Sequence, residues 1–204
     1  MPWNLQQAHA HLKASPVGHR ITFHQGDPLD FLASTDSDTV YDVAVLAHCL
    51  WYFASPSTVI ETFKALAPRA KRICIAEYAL APSDISTVPH VLAALAHASL
   101  ECRKPQSEAN IRTLLSPRRI KEIAVDAGLA LADEGTVKAP ATMFDGKWEV
   151  GDVLGAGFRK QLELVENERE RAVVEALIDA TRTSKETATK VTTMDVWYSV
   201  LAKN

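Results

Sequence analysis

Cysteine is scarce in this sequence, with three residues, Cys49, Cys74 and Cys102, in 204. So sparse, odd and widely spaced a set builds neither a disulfide framework nor a zinc knuckle. Cys49 and Cys74 sit in apolar runs, where buried free thiols are the expected state. Positive charge is also not in excess. There are 22 basic and 25 acidic residues, a formal net charge of -3. That leaves nothing to neutralise a phosphate backbone, so no nucleic-acid partner is expected. No apolar run approaches the roughly 20 residues that a bilayer span needs, so no membrane partner is expected either. The opening MPWNLQQAHAHLK has no apolar signal core, and a cytoplasmic protein is the simplest expectation. Three signature loops are missing: G-x-S-x-G, G-x-x-x-x-G-K-[ST] and G-x-G-x-x-G. Their absence counts against an α/β hydrolase or a reductase.

What is present is enough apolar material, 47% of residues, for a real core in one domain over residues 1–204. The hydrophobic period alternates between helix and strand. Leu5, Ala8 and Leu12 predict a helix over 4–14. Arg20 to Gln25 (RITFHQ) reads as a short strand before the turn Gly26-Asp27-Pro28, and 36–39 reads as a polar turn. Tyr41 to His48 reads as a strand buried on both faces. Ser55-Pro56 opens a helix, with Ser as cap and Pro at the first helical position. Lys71 to Tyr78 is a second buried strand. Residues 85–102 form a helix with Val88, Val91, Leu92, Leu95 and Ser99 on one face. Ser116-Pro117 opens another helix, closed at Gly128, and 129–138 forms a strand. Residues 158–182 make one long amphipathic helix, with Leu162, Val165, Ala172, Val173, Ala176 and Leu177 facing in. Met194 to Ala202 is the closing strand. This alternation predicts an α/β domain with a mainly parallel sheet.

Ligands of open α/β sheets bind beyond the carboxyl ends of the strands. Three segments lie there: Gly26-Asp27, His48 to Phe53, and Glu77-Tyr78. Asp27 could accept a hydrogen bond from an amine, or could simply bond its own turn. Trp51, Tyr52 and Phe53 could stack on a flat ligand or plug the core. His48 could move a proton near neutral pH or be a structural group. Glu77 could face a ligand or pair with a neighbouring Arg or Lys. No metal site is expected. His9 and His11 point to opposite sides of a helix. His90 and His97 share a face with Glu101, but seven residues is about 10 Å of rise, too far for one ion. That stripe is solvated or faces a cavity.

The order of these pieces resembles the class I, S-adenosylmethionine-dependent methyltransferases, closest to fungal-type enzymes of small metabolites. RITFHQGDPLDF resembles their third strand and acidic turn, and YDVAVLAHCLWYFASP their fourth strand and the loop over the methyl-transfer site. KRICIAEYAL resembles the fifth strand, SPRRIKEIAVDAGLAL the last crossover, and MDVWYSVLAK the final strand. The resemblance implies a Rossmann-like three-layer sandwich of sheet order 3-2-1-4-5-7-6, mostly parallel with an antiparallel last strand. It implies a helical cap over residues 83–115. It implies S-adenosylmethionine as cofactor, with Gly26 and Asp27 at the adenine and His48 and Leu50 at the methionine end. Substrate contacts would come from Trp51, Tyr52, Glu77, Asn110 and Arg112, the last two also readable as an exposed helix-end pair. His48 would be the proton acceptor or would orient the substrate, and the methyl acceptor would be a small organic molecule.

The family's first strand, Gly-rich cofactor loop and second strand have no counterpart in the sequence. The expectation is therefore an N-terminally truncated sheet. Either the natural protein is longer or the sheet has re-paired, for which a homodimer is one route. The alternative function is a catalytically inactive or repurposed methyltransferase-like domain that binds a partner or a metabolite.

Overall fold

A computed structural model describes residues 4–104, 106–107 and 109–203. The chain divides into an N-terminal unit ending at Asp36 and a larger unit from Ser37 onward. In the first unit, α1 (Leu5–Lys13) starts at a capping box, in which Asn4 and Gln7 exchange side-chain and backbone hydrogen bonds. A 3-10 turn, Gly18–Arg20, follows, and then α2 (Pro28–Ser34). The strand expected at Arg20 to Gln25 is absent. Its alternating residues have no ladder partner among the described residues, and a strand without one leaves its backbone unpaired. Side chains hold the segment instead. Phe23 stacks on His9 at 3.8 Å, His24 tilts against Phe31 at 4.9 Å, and Lys13 Nζ donates to the Ile21 carbonyl.

The larger unit carries a four-stranded sheet: β1 (Tyr41–Ala47), β2 (Ala70–Tyr78), β3 (Leu129–Val137) and β4 (Val196–Lys203). The spatial order is β1-β2-β4-β3, with β1 parallel to β2 and β4 antiparallel to both its neighbours. Three strands thus run one way and the last runs against them. This is the 4-5-7-6 half of the implied order. Burial of β1 on both faces does not hold. It is an edge strand, with Val43 and Val45 44% and 68% exposed.

Helices α3 (Pro56–Leu66) and α5 (Pro117–Asp126) begin at the expected Ser-Pro pairs, where Ser55 and Ser116 accept from Thr58 and Arg119 backbone N–H groups. Gly128 closes the turn after α5 at φ +79°. These helices and the sheet enclose a core of Leu46, Phe63, Ile73, Ile75, Ile120, Ile123 and Leu201.

The other layer is helical: α4 (Val88–Glu101), α6 (Asp145–Val153), α7 (Ala156–Leu162) and α8 (Glu168–Thr187). Two expectations fail here. Helix α4 has no single apolar face, because Pro89, His90, Val91, Ala93, Ala94, Ala96 and Leu100 are all buried. It packs on α6 and α8 and also abuts a cluster of Trp51, Tyr78, Ile111 and Met194. The long helix expected over 158–182 is broken between α7 and α8. The Asn167 side chain caps α8 by accepting from Arg169 and Glu170 N–H groups, and two glutamates fill the first turn. The break resets the register. Val174, Ile178 and Thr181 turn inward, while Val173 is 48% exposed. No helix among the described residues is long and apolar enough to cross a membrane.

Candidate functional site

The parallel strands β1 and β2 end side by side, with Ala47 in register with Ala76. The residue after β1, His48, takes a left-handed conformation at φ +48°, and its N–H still donates to the Ala76 carbonyl at 2.8 Å. That bend, which costs a non-glycine residue about 1–2 kcal/mol, swings the chain into a 3-10 turn, Leu50–Tyr52. The turn is tied down from beneath. Glu77, 1% exposed, accepts from the Leu50 N–H at 3.2 Å and the Tyr78 N–H at 3.1 Å. His48 Nδ1 lies 3.5 Å from Glu77 Oε1 without a hydrogen-bond partner. The buried carboxylate is thus spent on backbone and on facing the imidazole, not on a neighbouring Arg or Lys. Burial, followed by the same carboxylate, pushes the Cys49 thiol up to about 11, which keeps it unreactive.

A cavity of about 590 Å³ opens beyond these strand ends, within the usual range for small-molecule sites. One wall is aromatic. Tyr78 packs against His48 (4.5 Å between ring centroids), Trp51 (5.6 Å) and His90 (5.1 Å). Trp51 is anchored by donating Nε1–H to the Leu115 carbonyl at 3.1 Å, and Tyr52 is 43% exposed at the rim. The other wall is α6, whose Asp145, Trp148, Glu149 and Asp152 follow helical spacing on one face and all line the cavity. Glu149 faces the buried His90 at 3.1 Å, and Asp152 lies 3.6 Å from His97. Burial, followed by Asp145 and Glu149, pushes the Tyr78 hydroxyl far above the usual tyrosine range. Burial, Glu77, Glu149 and Asp145 likewise push Tyr52 up. Both therefore stay phenols at neutral pH. Glu101 differs from the α6 acids, because Lys104 pairs with it and Ser107 Oγ donates to it at 2.6 Å. Among the described residues, no Lys or Arg lines the cavity.

Of the site residues expected from the sequence, His48, Trp51, Tyr52, Glu77 and Asn110 meet around this cavity. Leu50 lines no wall of it. Its side chain is fully buried in the sheet core, and only its backbone N–H reaches the site, through Glu77. Arg112 also stands outside the cavity lining and donates to the Tyr52 and Ser107 carbonyls, fixing the loop from behind. Gly26 and Asp27 belong to the N-terminal unit, where Asp27 caps α2 by accepting the Leu29 N–H at 2.7 Å. Asp145, Glu149 and Asp152 were missed from the sequence. Their signal was a D-x-x-x-E-x-x-D spacing inside 145–153, a segment too polar and glycine-rich to announce a helix.

His97 supplies a pH prediction. Burial lowers its pKa below the usual 6.5, although Glu149, Asp152 and Glu101 pull the other way. The fold therefore favours the neutral ring, whereas the unfolded chain takes up the proton near its ordinary value. Stability from this residue is full above about pH 6.5 and is lost as the pH falls toward the lower folded value. Urea midpoints at pH 7.5 and 5.5 are expected to fall more for the wild type than for His97→Gln. Equal falls would mean that the ring is not held neutral.

No profile of a known protein family matches the sequence. Two curated relatives, the methyltransferases phomM′ and phomM of Diaporthe leptostromiformis, are each 30% identical over 240 residues. The alignments cover 99% of this chain and 62% of theirs, so the chain spans less than two thirds of these relatives. Among solved structures, a cyclopropane-fatty-acyl-phospholipid synthase-like protein from Lactobacillus casei matches with a TM-score of 0.80 at 29% identity. That match covers 98% of this chain and 70% of the other. A sarcosine dimethylglycine methyltransferase, itself titled putative, from Galdieria sulphuraria has a TM-score of 0.50 at 12% identity, covering 98% and 65%, and shares the fold alone.

Proposed function

We propose that the chain is a class I S-adenosylmethionine-dependent methyltransferase, a reading supported by its similarity to the two curated methyltransferases, and that its cavity serves methyl transfer to the amine nitrogen of a small molecule. The observation that carries this reading is the charge of the cavity. Asp145, Glu149 and Asp152 face it from α6, aromatic rings face it from the sheet side, and among the described residues no Lys or Arg lines it. Carboxylates and aromatic faces attract cations and repel anions. S-adenosylmethionine supplies a methyl group on a positively charged sulfonium, and the cavity's acids and rings fit that charge. Residues for the adenosine and carboxylate ends are not among those that line it.

The protein's own groups have distinct tasks. Glu149 and Asp145 accept hydrogen bonds from the acceptor's ammonium and orient it. The amine must lose a proton to become a nucleophile. His48 lines the cavity with Nδ1 turned toward Glu77, which leaves Nε2 to take that proton. Glu77, 3.5 Å from Nδ1, orients the ring for that transfer. Trp51, Tyr52 and Trp148 line the site with aromatic surface.

The test has two stages. Calorimetric titration with S-adenosylhomocysteine reports whether this chain holds the cofactor. Transfer of labelled methyl is then measured against matched amines, alcohols and carboxylic acids. Amines alone are expected to accept, and His48→Ala is expected to lower kcat by about 10²–10⁴. Equal methylation of alcohols would sink the amine reading. A well-folded chain that binds no S-adenosylhomocysteine would favour the repurposed, non-catalytic domain.

A further inference from the structure

His90 is fully buried on α4, and both of its ring nitrogens are engaged. The Met194 backbone N–H donates to Nδ1 at 3.0 Å. An accepting nitrogen carries no proton, so the ring's hydrogen sits on Nε2. Nε2 lies 3.1 Å from Glu149 Oε2 and donates to it. The Tyr78 ring stands edge-on to the imidazole at 77°, which limits its rotation. Glu149 is the less buried partner, with its side chain 23% exposed, and it lines the cavity. A backbone amide just before β4 thus sets a tautomer, and the tautomer sets the direction of a carboxylate on α6.

We propose that His90 is a positioning residue whose Nε2–H holds the Glu149 carboxylate in the cavity as the partner of a cationic amine. This rests on the amine reading above. A histidine kept only for packing would serve as well with its proton on either nitrogen. The bond from Met194 admits only one arrangement, the one that donates toward the cavity acid. The arrangement parallels the way a ring's second nitrogen orients a working group elsewhere in protein chemistry.

Two substitutions separate the two halves of this linkage. His90→Asn keeps an oxygen near Nδ1 for the Met194 N–H and removes the donor to Glu149. His90→Gln keeps an N–H near Nε2 and removes the acceptor for Met194. The probes are phenethylamine and its neutral counterpart 2-phenylethanol, with Kd read from quenching of Trp51 and Trp148 fluorescence. Wild type is expected to prefer the amine. His90→Asn and Glu149→Gln are each expected to reduce that preference about tenfold. His90→Gln is expected to preserve it while losing thermal stability.

If the wild type shows no preference, the amine reading fails and this inference falls with it. If the wild type prefers the amine and both His90 variants match it, or both lose the preference equally, His90 is structural and this inference alone is overturned. Nitrogen-15 NMR of the wild type gives a check that needs no variant. A bare Nδ1 and a protonated Nε2 on His90 are expected, and the opposite tautomer or an imidazolium would overturn the proposal even if His90→Asn did not fold.

Discussion

Glu77→Ala is expected to destabilise the protein by about 2–4 kcal/mol and to abolish amine methylation. The carboxylate is 1% exposed and accepts two backbone N–H groups, from the buried residues Leu50 and Tyr78. Each orphaned buried donor costs about 1–3 kcal/mol. Removing a buried charge returns part of that, because the carboxylate's desolvation is relieved. The donors outweigh the relief, since two buried N–H groups lose their acceptor at once. Glu77→Gln preserves the volume and one acceptor but turns an NH2 toward the second donor, so a loss of about 1–2 kcal/mol is expected. Urea unfolding of the three proteins measures both steps. Amide hydrogen exchange is expected to rise first in Leu50–Tyr52, the turn that Glu77 pins. A Glu77→Ala protein within about 0.5 kcal/mol of wild type would mean that the turn holds itself without the carboxylate.

The sheet was legible because its strands are strong local signals. YDVAVLAH and KRICIAEY are β-branched runs closed by polar residues, and their pairing makes β1 and β2 as expected. The Ser-Pro starts of α3 and α5 were legible because cap chemistry is local. RITFHQ failed for the opposite reason. Its alternation fits a strand, but strand formation is decided by a partner that the segment does not itself encode. The break before α8 was missed because the apolar period continues through Leu162 and Val165. The cap at Asn167, a single side chain, overrides that period. The candidate site divides in the same way. His48, Trp51, Tyr52 and Glu77 were readable because strand ends are where α/β sheets place ligands. The α6 acids come from a distant segment, and only the packing of α6 against α4 brings them to the same cavity. By spacing alone, His90 reads as one of a helical stripe. Its role depends on Met194, 104 residues away in sequence, and no spacing rule reaches that far.

Gly146→Ala is the second large effect, because it strikes the seat of α6 rather than any cavity side chain. Gly146 is buried in the first turn of α6, and its N–H donates to Thr193 Oγ1 at 3.1 Å. A Cβ there would stand 2.8 Å from the Thr192 carbonyl oxygen and 2.9 Å from the Thr193 Cα. Both are backbone atoms and cannot rotate aside, so α6 must move away from the segment that leads into β4. Overpacking of this kind costs about 1–3 kcal/mol. The gain of up to about 1 kcal/mol from replacing glycine by alanine in a helix does not cover it. The shift would carry Asp145, Glu149 and Asp152 with it, while His90, the partner of Glu149, stays fixed to Met194. The expected result is a lower urea midpoint together with a loss of amine-over-alcohol preference of about tenfold, the worth of one charge-assisted hydrogen bond. Gly151→Ala is the control on the same helix. A Cβ at Gly151 meets nothing within 4 Å, so that variant is expected to be more stable by about 0.5–1 kcal/mol with its amine preference unchanged. If Gly146→Ala lost stability and kept the preference, the α6 carboxylates would not be what selects the amine. If both glycine variants behaved alike, the close seat of α6 on Thr192 and Thr193 would not be what fixes its position.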